Sequence, residues 1–249
     1  MTRRCRRGEA RRFPELLLAR VGRPDSHSAT DRRLLSRAEI KSAYDQIGAW
    51  QDTLAYYAAP AFDALVTHGA FDEARSVFEV GCGTGRLAER LLQSHCPPDA
   101  QYAGVDLSPE MVRVARTRVA RFGERATAQR TDGRLAFDRP EGSQDRVVAT
   151  YLLDLLSDED ARAFLASAHR LLAEDGLLCV AGLTWGTSPV SRVVSRAWDL
   201  LHRCRPEWVG GCRPIRTRTL LDVSRWQIRR RVVVTAWGVP SEVLFATPA

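Results

Sequence analysis

The chain has 249 residues, 45% of them hydrophobic, and a formal charge of +7, enough length for one large α/β domain with appendages and a full core. No apolar run approaches the roughly 18 residues that span a bilayer, and the short "LLLA" of residues 16–19, followed at once by Arg20, falls short of a secretory signal. Six cysteines (5, 82, 96, 179, 204 and 212) form no CxxC pair, which argues against a zinc module and for reduced thiols in the cytoplasm.

In chain order, residues 1–37 come first, with eleven Arg against Glu9, Glu15, Asp25 and Asp31; they account for the whole +7. This segment reads as a disordered tail, with a transit peptide or affinity for membrane or nucleic acid as sharper alternatives. Aromatics are absent from it beyond Phe13, and it has no nucleic-acid-binding signature. One lysine against 36 arginines also admits codon bias as a cause of the Arg richness. The remaining body is neutral overall: residues 38–191 carry −7 and residues 192–231 carry +8.

The stretch of residues 36–71, "SRAEIKSAYDQIGAWQDTLAYYAAPAFDALVTHGAF", predicts two helices broken at Gly48, the first capped by Ser36 with Glu39 three residues on. A strand over Val77–Val80 runs into three glycines and then a helix ending near Ser94. "QYAGVDLSPEMVRVARTRVARFG" gives a strand ending at Asp106 and a helix from Ser108-Pro109 through Arg121. "ATAQRTDG" is a third strand ending before Asp132, and a fourth covers Arg146–Thr150. A helix capped by Ser157 and closed by Gly176 leads to a fifth strand, "LLCVAGL". An amphipathic helix over Val190–Cys204 follows, then a loop, then "RWQIRRRVVVTAW" and "SEVLFA" as an antiparallel hairpin turned at Gly238, Val239 and Pro240. Five alternations of strand and helix make an α/β fold with a parallel sheet covered on both faces.

The glycine turn carries the chemistry. Gly81, Gly83 and Gly85 in "EVGCGTG" sit between strand and helix, where a plain turn needs one glycine. Glycine there permits positive φ and close approach of a ligand to the backbone. A dinucleotide site would space its glycines as G-x-G-x-x-G and receive a pyrophosphate. Here Glu79 precedes the turn, and a carboxylate facing the ligand suits a cation such as S-adenosylmethionine (SAM). Cys82 inside the turn reads as a small packing residue, with nucleophilic chemistry as the alternative.

"VFEVGCGTGRLAERLL", "YAGVDLSPEMV", "TDG" and "LLAEDGLLCVAGL" together resemble the motifs of class I SAM-dependent methyltransferases over residues 75–185. The resemblance implies a Rossmann-like seven-stranded sheet flanked by helices, five strands parallel and the last two an antiparallel hairpin. It implies that Glu79 holds the methionine amino group, that Gly81, Gly83 and Gly85 pass under the cofactor, and that Asp106 accepts from both ribose hydroxyls. Leu107 and Met111 would flank the adenine, Asp132 would accept from its amino group with Gly133 alongside, and Thr150 would lie near the methionine end. A helix-cap neighbour for Asp106, a turn aspartate for Asp132 and core packing for Met111 are the structural alternatives. The domain then covers 38–249: lid helices over 38–72, the SAM-binding core over 75–185, an acceptor-side insertion over 186–225 and the hairpin over 226–249.

Methyl transfer is an in-line displacement on an activated sulfonium, so a dedicated base is not required. "YDQIGAWQD" resembles the lid of methyltransferases acting on phospholipid amines, quinones and similar small molecules, which makes Tyr44 an acceptor-side candidate with Tyr151, Asp154, Trp185 and His202. Core packing is the alternative for Tyr44, Tyr151 and Trp185, and a structural role for His202. The expected partner is a small-molecule or lipid acceptor; no metal is expected, and the acidic core and the absence of an NPPY-like motif disfavour nucleic acid. The basic segment suits an anionic acceptor or transient contact with a phospholipid surface, or else a solvated Arg-rich face. A SAM-binding regulator without transferase activity and an NAD-dependent dehydrogenase are the competing readings.

Overall fold

The computed structural model describes residues 57–249. The expected disordered tail, the first lid helix and Tyr44 lie outside the described residues. Helix α1 (Ala59–His68) leads through a short 3-10 turn to strand β1 (Ser76–Val80). Then follow α2 (Arg86–Ser94), β2 (Gln101–Asp106), α3 (Pro109–Val119), β3 (Ala126–Arg130) and β4 (Gln144–Thr150). The chain continues through α4 (Asp158–Leu171), β5 (Leu172–Leu183), α5 (Pro189–Cys204), β6 (Trp226–Ala236) and β7 (Val239–Pro248).

The seven strands form one sheet in the order β3-β2-β1-β4-β5-β7-β6. Strands β1 to β5 pair in parallel, and β7 runs antiparallel to both β5 and β6. Because successive strand residues point to opposite faces, the apolar runs of the inner strands feed two cores at once. Phe78, Val147 and Leu244 pack with Phe164 of α4 on one face. Their immediate neighbours Val77, Val148 and Phe245 pack with Leu65 of α1 and Leu91 of α2 on the other.

Two of the caps read from sequence are made, and the third, Ser36, lies outside the described residues. Ser108 Oγ accepts from the Met111 amide at the start of α3, and Ser157 Oγ accepts from the Asp160 amide at the start of α4, so each satisfies a helix-end donor. Three boundaries differ from expectation. Helix α4 stops at Leu171 rather than at Gly176: Leu172 already pairs with Gln144, and residues 173–176 bulge out before Leu177 resumes the register against Arg146. Helix α3 ends at Val119 and passes into a 3-10 turn kinked at Gly123. The hairpin turns at Trp237-Gly238, with φ of 54° and 82°, the pair of positive angles that matches the twist of a two-residue hairpin. Val239 and Pro240 therefore belong to β7, paired with Ala236 and Thr235.

Among the described residues, β6 pairs with β7 alone and lies at the edge of the sheet. Its Arg229, Arg230 and Arg231 are exposed, and Arg231 forms an ion pair with the buried Glu242 of β7. No helix among the described residues is long and apolar enough to cross a membrane.

Candidate active site

The carboxyl ends of parallel strands are where an open α/β sheet places its ligands. Here the ends of β1, β2 and β4 border a cleft lined by Val80, Gly81, Asp106 and Thr150. The backbone leaving β1 is pinned to β2: the amides of Gly81 and Cys82 both donate to the Val105 carbonyl, at 2.8 and 3.0 Å. Gly81, Gly83 and Gly85 all have positive φ, and Gly85 caps α2. Asp106, at the end of β2, lines the cleft and accepts from the Gly83 amide at 2.9 Å with one oxygen and from the Ser108 amide at 2.9 Å with the other. The carboxylate is thus fixed in orientation by the glycine turn on one side and the start of α3 on the other.

The two glycines have different reasons to be glycine. A Cβ on Gly85 would stand 3.2 Å from the backbone of Ala115, so this residue sets how closely α2 and α3 pack. At Gly83 a Cβ would meet nothing within 4 Å, and the residue borders the cleft. Gly83→Ala is therefore expected to cost only about 1 kcal/mol of backbone strain while weakening cofactor binding; Gly85→Ala should be the more destabilising of the two. Urea denaturation of both variants, paired with calorimetric titration, checks this.

Glu79 lies beneath the turn rather than on the cleft wall. Its side chain is 1% exposed and accepts a 2.6 Å hydrogen bond from the Tyr102 hydroxyl. Burial pushes its carboxyl up to about 8, against the opposing effect of the Tyr102 bond and with a smaller push from Asp106. Cys82 is buried in the same place, and burial with the nearby carboxylates raises its thiol well above its ordinary range, which fits packing and not nucleophilic chemistry. Tyr102 is accommodated because its strand neighbour across this space is Gly104, where a Cβ would sit 2.6 Å from the tyrosine oxygen.

Leu107, Met111, Gly133 and Thr150 line the cleft. Asp132 does not: it is exposed, accepting from the Arg134 amide at 2.9 Å and pairing with the Arg134 guanidinium at 3.2 Å, so its carboxylate closes a local turn. Leu135 and Phe137 supply the wall on that side, and Leu152, Leu155 and Leu156 supply the wall after β4. The sequence carried a signal for the first pair. From Thr131 to Pro140 burial alternates residue by residue, and Gly133, Leu135 and Phe137 share the inward side of an extended segment.

Residues 77–176 match the family described as a methyltransferase domain. Over that stretch the chain is similar to a methyltransferase domain. It is 28% identical over 158 residues to a malonyl-[acyl-carrier protein] O-methyltransferase of Hahella chejuensis, covering 63% of this chain and 54% of that protein. It is 31% identical over 157 residues to a demethylmenaquinone methyltransferase of Tropheryma whipplei, covering 62% of this chain and 59% of that one. The chain thus spans little more than half the length of these relatives. Among solved structures, the [4+2]-cyclase SpnF superposes with a TM-score of 0.65 at 16% identity, over 86% of this chain and 97% of that one, a likeness of fold.

The acceptor-side candidates divide into two groups. Tyr151 lines the cleft in the left-handed region, φ 51°, which only strong local contacts hold for a tyrosine. Those contacts are a 2.9 Å hydrogen bond between its hydroxyl and Ser241 and an edge-on contact with Tyr57 at 5.7 Å. Asp154 and His202 do not line the cleft. Asp154 is fully buried, accepting from the Leu183 amide at 3.1 Å, and burial lifts its carboxyl to about 7. His202 is 2% exposed, and burial with the nearby Arg213 lowers its pKa. Arg213 donates to the Leu156 carbonyl and to Asp158, both at 2.9 Å, and its own amide donates to the Asp154 carbonyl. These three residues tie the segment after α5 to the back of the cleft wall. Trp185 is half-buried just beyond β5 and does not border the cleft.

Proposed function

We propose that the chain is a SAM-dependent methyltransferase acting on a small-molecule or lipid-linked acceptor in the cytoplasm. The observation that carries the reading is the Asp106 carboxylate held by the Gly83 and Ser108 amides at the cleft, beside a glycine whose missing side chain leaves room for a ligand. The residues present fit SAM. A carboxylate with both oxygens fixed suits the paired hydroxyls of a ribose, and Leu107, Met111, Leu135 and Phe137 give an adenine apolar walls. Bound SAM supplies a methyl group already activated on a sulfonium.

What remains for the protein is alignment and exclusion of water. Thr150 and Tyr151 end β4 where the methionine portion and the acceptor would meet, and Leu152, Leu155 and Leu156 keep that end of the cleft dry. Glu79 places a buried carboxyl beneath the turn, protonated up to about 8 by burial; a cationic ligand above it would favour its ionised form and be favoured by it in turn. The named activities of the relatives, on a carrier-bound malonyl group and on a quinone, support an acceptor that is small or linked to a lipid or carrier.

Calorimetric titration of the full chain with SAM, S-adenosylhomocysteine and NAD tests the cofactor, followed by transfer of labelled methyl to quinones, carboxylic acids, amines and phenols. Micromolar binding of the first two with no binding of NAD is the expected result. Tight NAD binding would favour a dehydrogenase, and SAM binding without transfer to any acceptor a regulator.

A further inference from the structure

Among the described residues, helix α5 turns one side to the sheet and carries a second, apolar side that is exposed. Ser191, Ser195 and His202 are buried, whereas Val190 and Val193 are each 67% exposed and Leu200 is 62% exposed. At about 100° per residue, these three with Ala197, Leu201 and Cys204 fall in a stripe about 100° wide along the whole helix. Arg192, Arg196 and Arg203 occupy the adjoining strip, all exposed. The acid on this helix, Asp199, is paired with Arg203 at 2.5 Å.

The hairpin tip extends the same surface. Trp237 is 83% exposed, and the backbone of the adjacent Gly238 lies against Val190 and Val194, since a Cβ there would stand 3.7 and 3.0 Å from their methyls. The tip stands at the edge of the sheet where β5 ends, because Leu183 pairs with Ser241. That is the edge on which the cleft opens, and Trp198 of α5 reaches the cleft residue Tyr151 through Tyr57, by contacts of 5.8 and 5.7 Å.

We propose that the outer face of α5 and the Trp237 tip dock on an anionic lipid surface. Charge selects this occupant. The chain's own residues 1–37 carry +7, and a second copy would present the same arginines, so both are repelled by the Arg strip. Projecting apolar side chains flanked by arginines, with a tryptophan at one end, are what a helix lying in a bilayer interface presents. Docking there brings the mouth of the cleft to the place where an amphiphilic acceptor resides. This last consequence rests on the methyltransferase reading; the docking itself does not.

The test is co-sedimentation of the full chain with vesicles of phosphatidylcholine alone and of phosphatidylcholine with phosphatidylglycerol, at low and high salt. The anionic vesicles should bind the chain and the neutral ones much less, with salt weakening the association. Val193→Asp with Leu200→Asp, and separately Trp237→Ser, should each weaken binding at least about tenfold. Affinity for S-adenosylhomocysteine should be unchanged in both variants, which shows that they fold. No association with anionic vesicles would overturn the proposal. So would equal binding to neutral ones, or binding that both variants retain, which would place it on another basic segment. A dimer in gel filtration that the double variant converts to monomer would give the face to a second copy and also overturn it. Failure of S-adenosylhomocysteine to bind the unaltered chain counts instead against the cofactor reading, whatever the vesicles show.

Discussion

Asp106→Ala is expected to lower the affinity for S-adenosylhomocysteine by about 100-fold or more. Two hydrogen bonds from ligand hydroxyls to a carboxylate contribute about 1.5–3 kcal/mol each, and a loss of about 3 kcal/mol corresponds to more than a hundredfold. The same substitution takes the acceptor from the Gly83 and Ser108 amides, which loosens the glycine turn as well. Ser108 is 1% exposed, so its amide has little access to water in compensation, and some fold stability should be lost with the affinity. Asp106→Asn separates the effects: it preserves the shape but offers one accepting oxygen where two are needed, and its affinity should fall between the two. Calorimetry on variants shown by circular dichroism to be folded is the measurement. Unchanged affinity in a folded Asp106→Ala chain would remove Asp106 from the site.

The second large effect is on stability as a function of pH. Glu79 ionises at about 8 in the folded chain against an ordinary 4.5, and Asp154 at about 7 against 3.8. Between each pair of values the folded state holds a proton that the unfolded state has released, so stability falls as pH rises through that window. His202 acts in the opposite sense, since its lowered pKa makes the unfolded state the better proton binder below its ordinary 6.5; that contribution is complete above 6.5. The net loss therefore runs from about pH 4.5 to 8: both carboxyls contribute up to about pH 7, with His202 offsetting part of their effect below 6.5, and Glu79 alone contributes from 7 to 8. At 1.36 kcal/mol per pKa unit each carboxyl accounts for about 4 kcal/mol, a large share of the roughly 5–15 kcal/mol that holds a domain together. Glu79→Gln, which keeps an acceptor for Tyr102 but cannot ionise, should flatten the profile and be more stable than the natural chain at pH 8.5. Urea denaturation across pH 5 to 9 would contradict this if the natural chain and the variant gave parallel curves.

What the sequence revealed and what it concealed follow one physical division. Features set by local backbone chemistry were legible: the glycine turn, the Ser108 and Ser157 caps, and the runs Val77–Val80 and Val147–Ala149 that only a sheet covered on both faces can bury. Features set by contacts distant in sequence were not. Glu79 turns inward because Tyr102, 23 residues away, supplies its hydrogen bond, and that pairing depends on Gly104 leaving the space. Asp132 is an exception to this division: it reads as a ligand contact in a motif, yet a local contact with Arg134, two residues on, engages both its oxygens. The end of α4 was misplaced because Leu172 has a β-sheet partner in Gln144, which outweighs the helix-ending glycine four residues later. Pro240 looked like a turn residue, but β7 accepts it because its carbonyl takes the Thr184 amide.

The arginines of β6 bear on a hazard of another kind. A sheet that ends in an eleven-residue strand offers a row of backbone donors and acceptors to any other extended chain, the route by which β proteins polymerise. Three consecutive arginines on that strand make the approach of a like strand costly, since stacking two such edges would bring six guanidinium charges together. Arg231 is anchored to the buried Glu242, so part of this charge is held at the edge rather than free to swing aside. Among the described residues, the arginines of β6 thus set like charges against edge-to-edge pairing of two such sheets, a use of positive charge separate from any ligand.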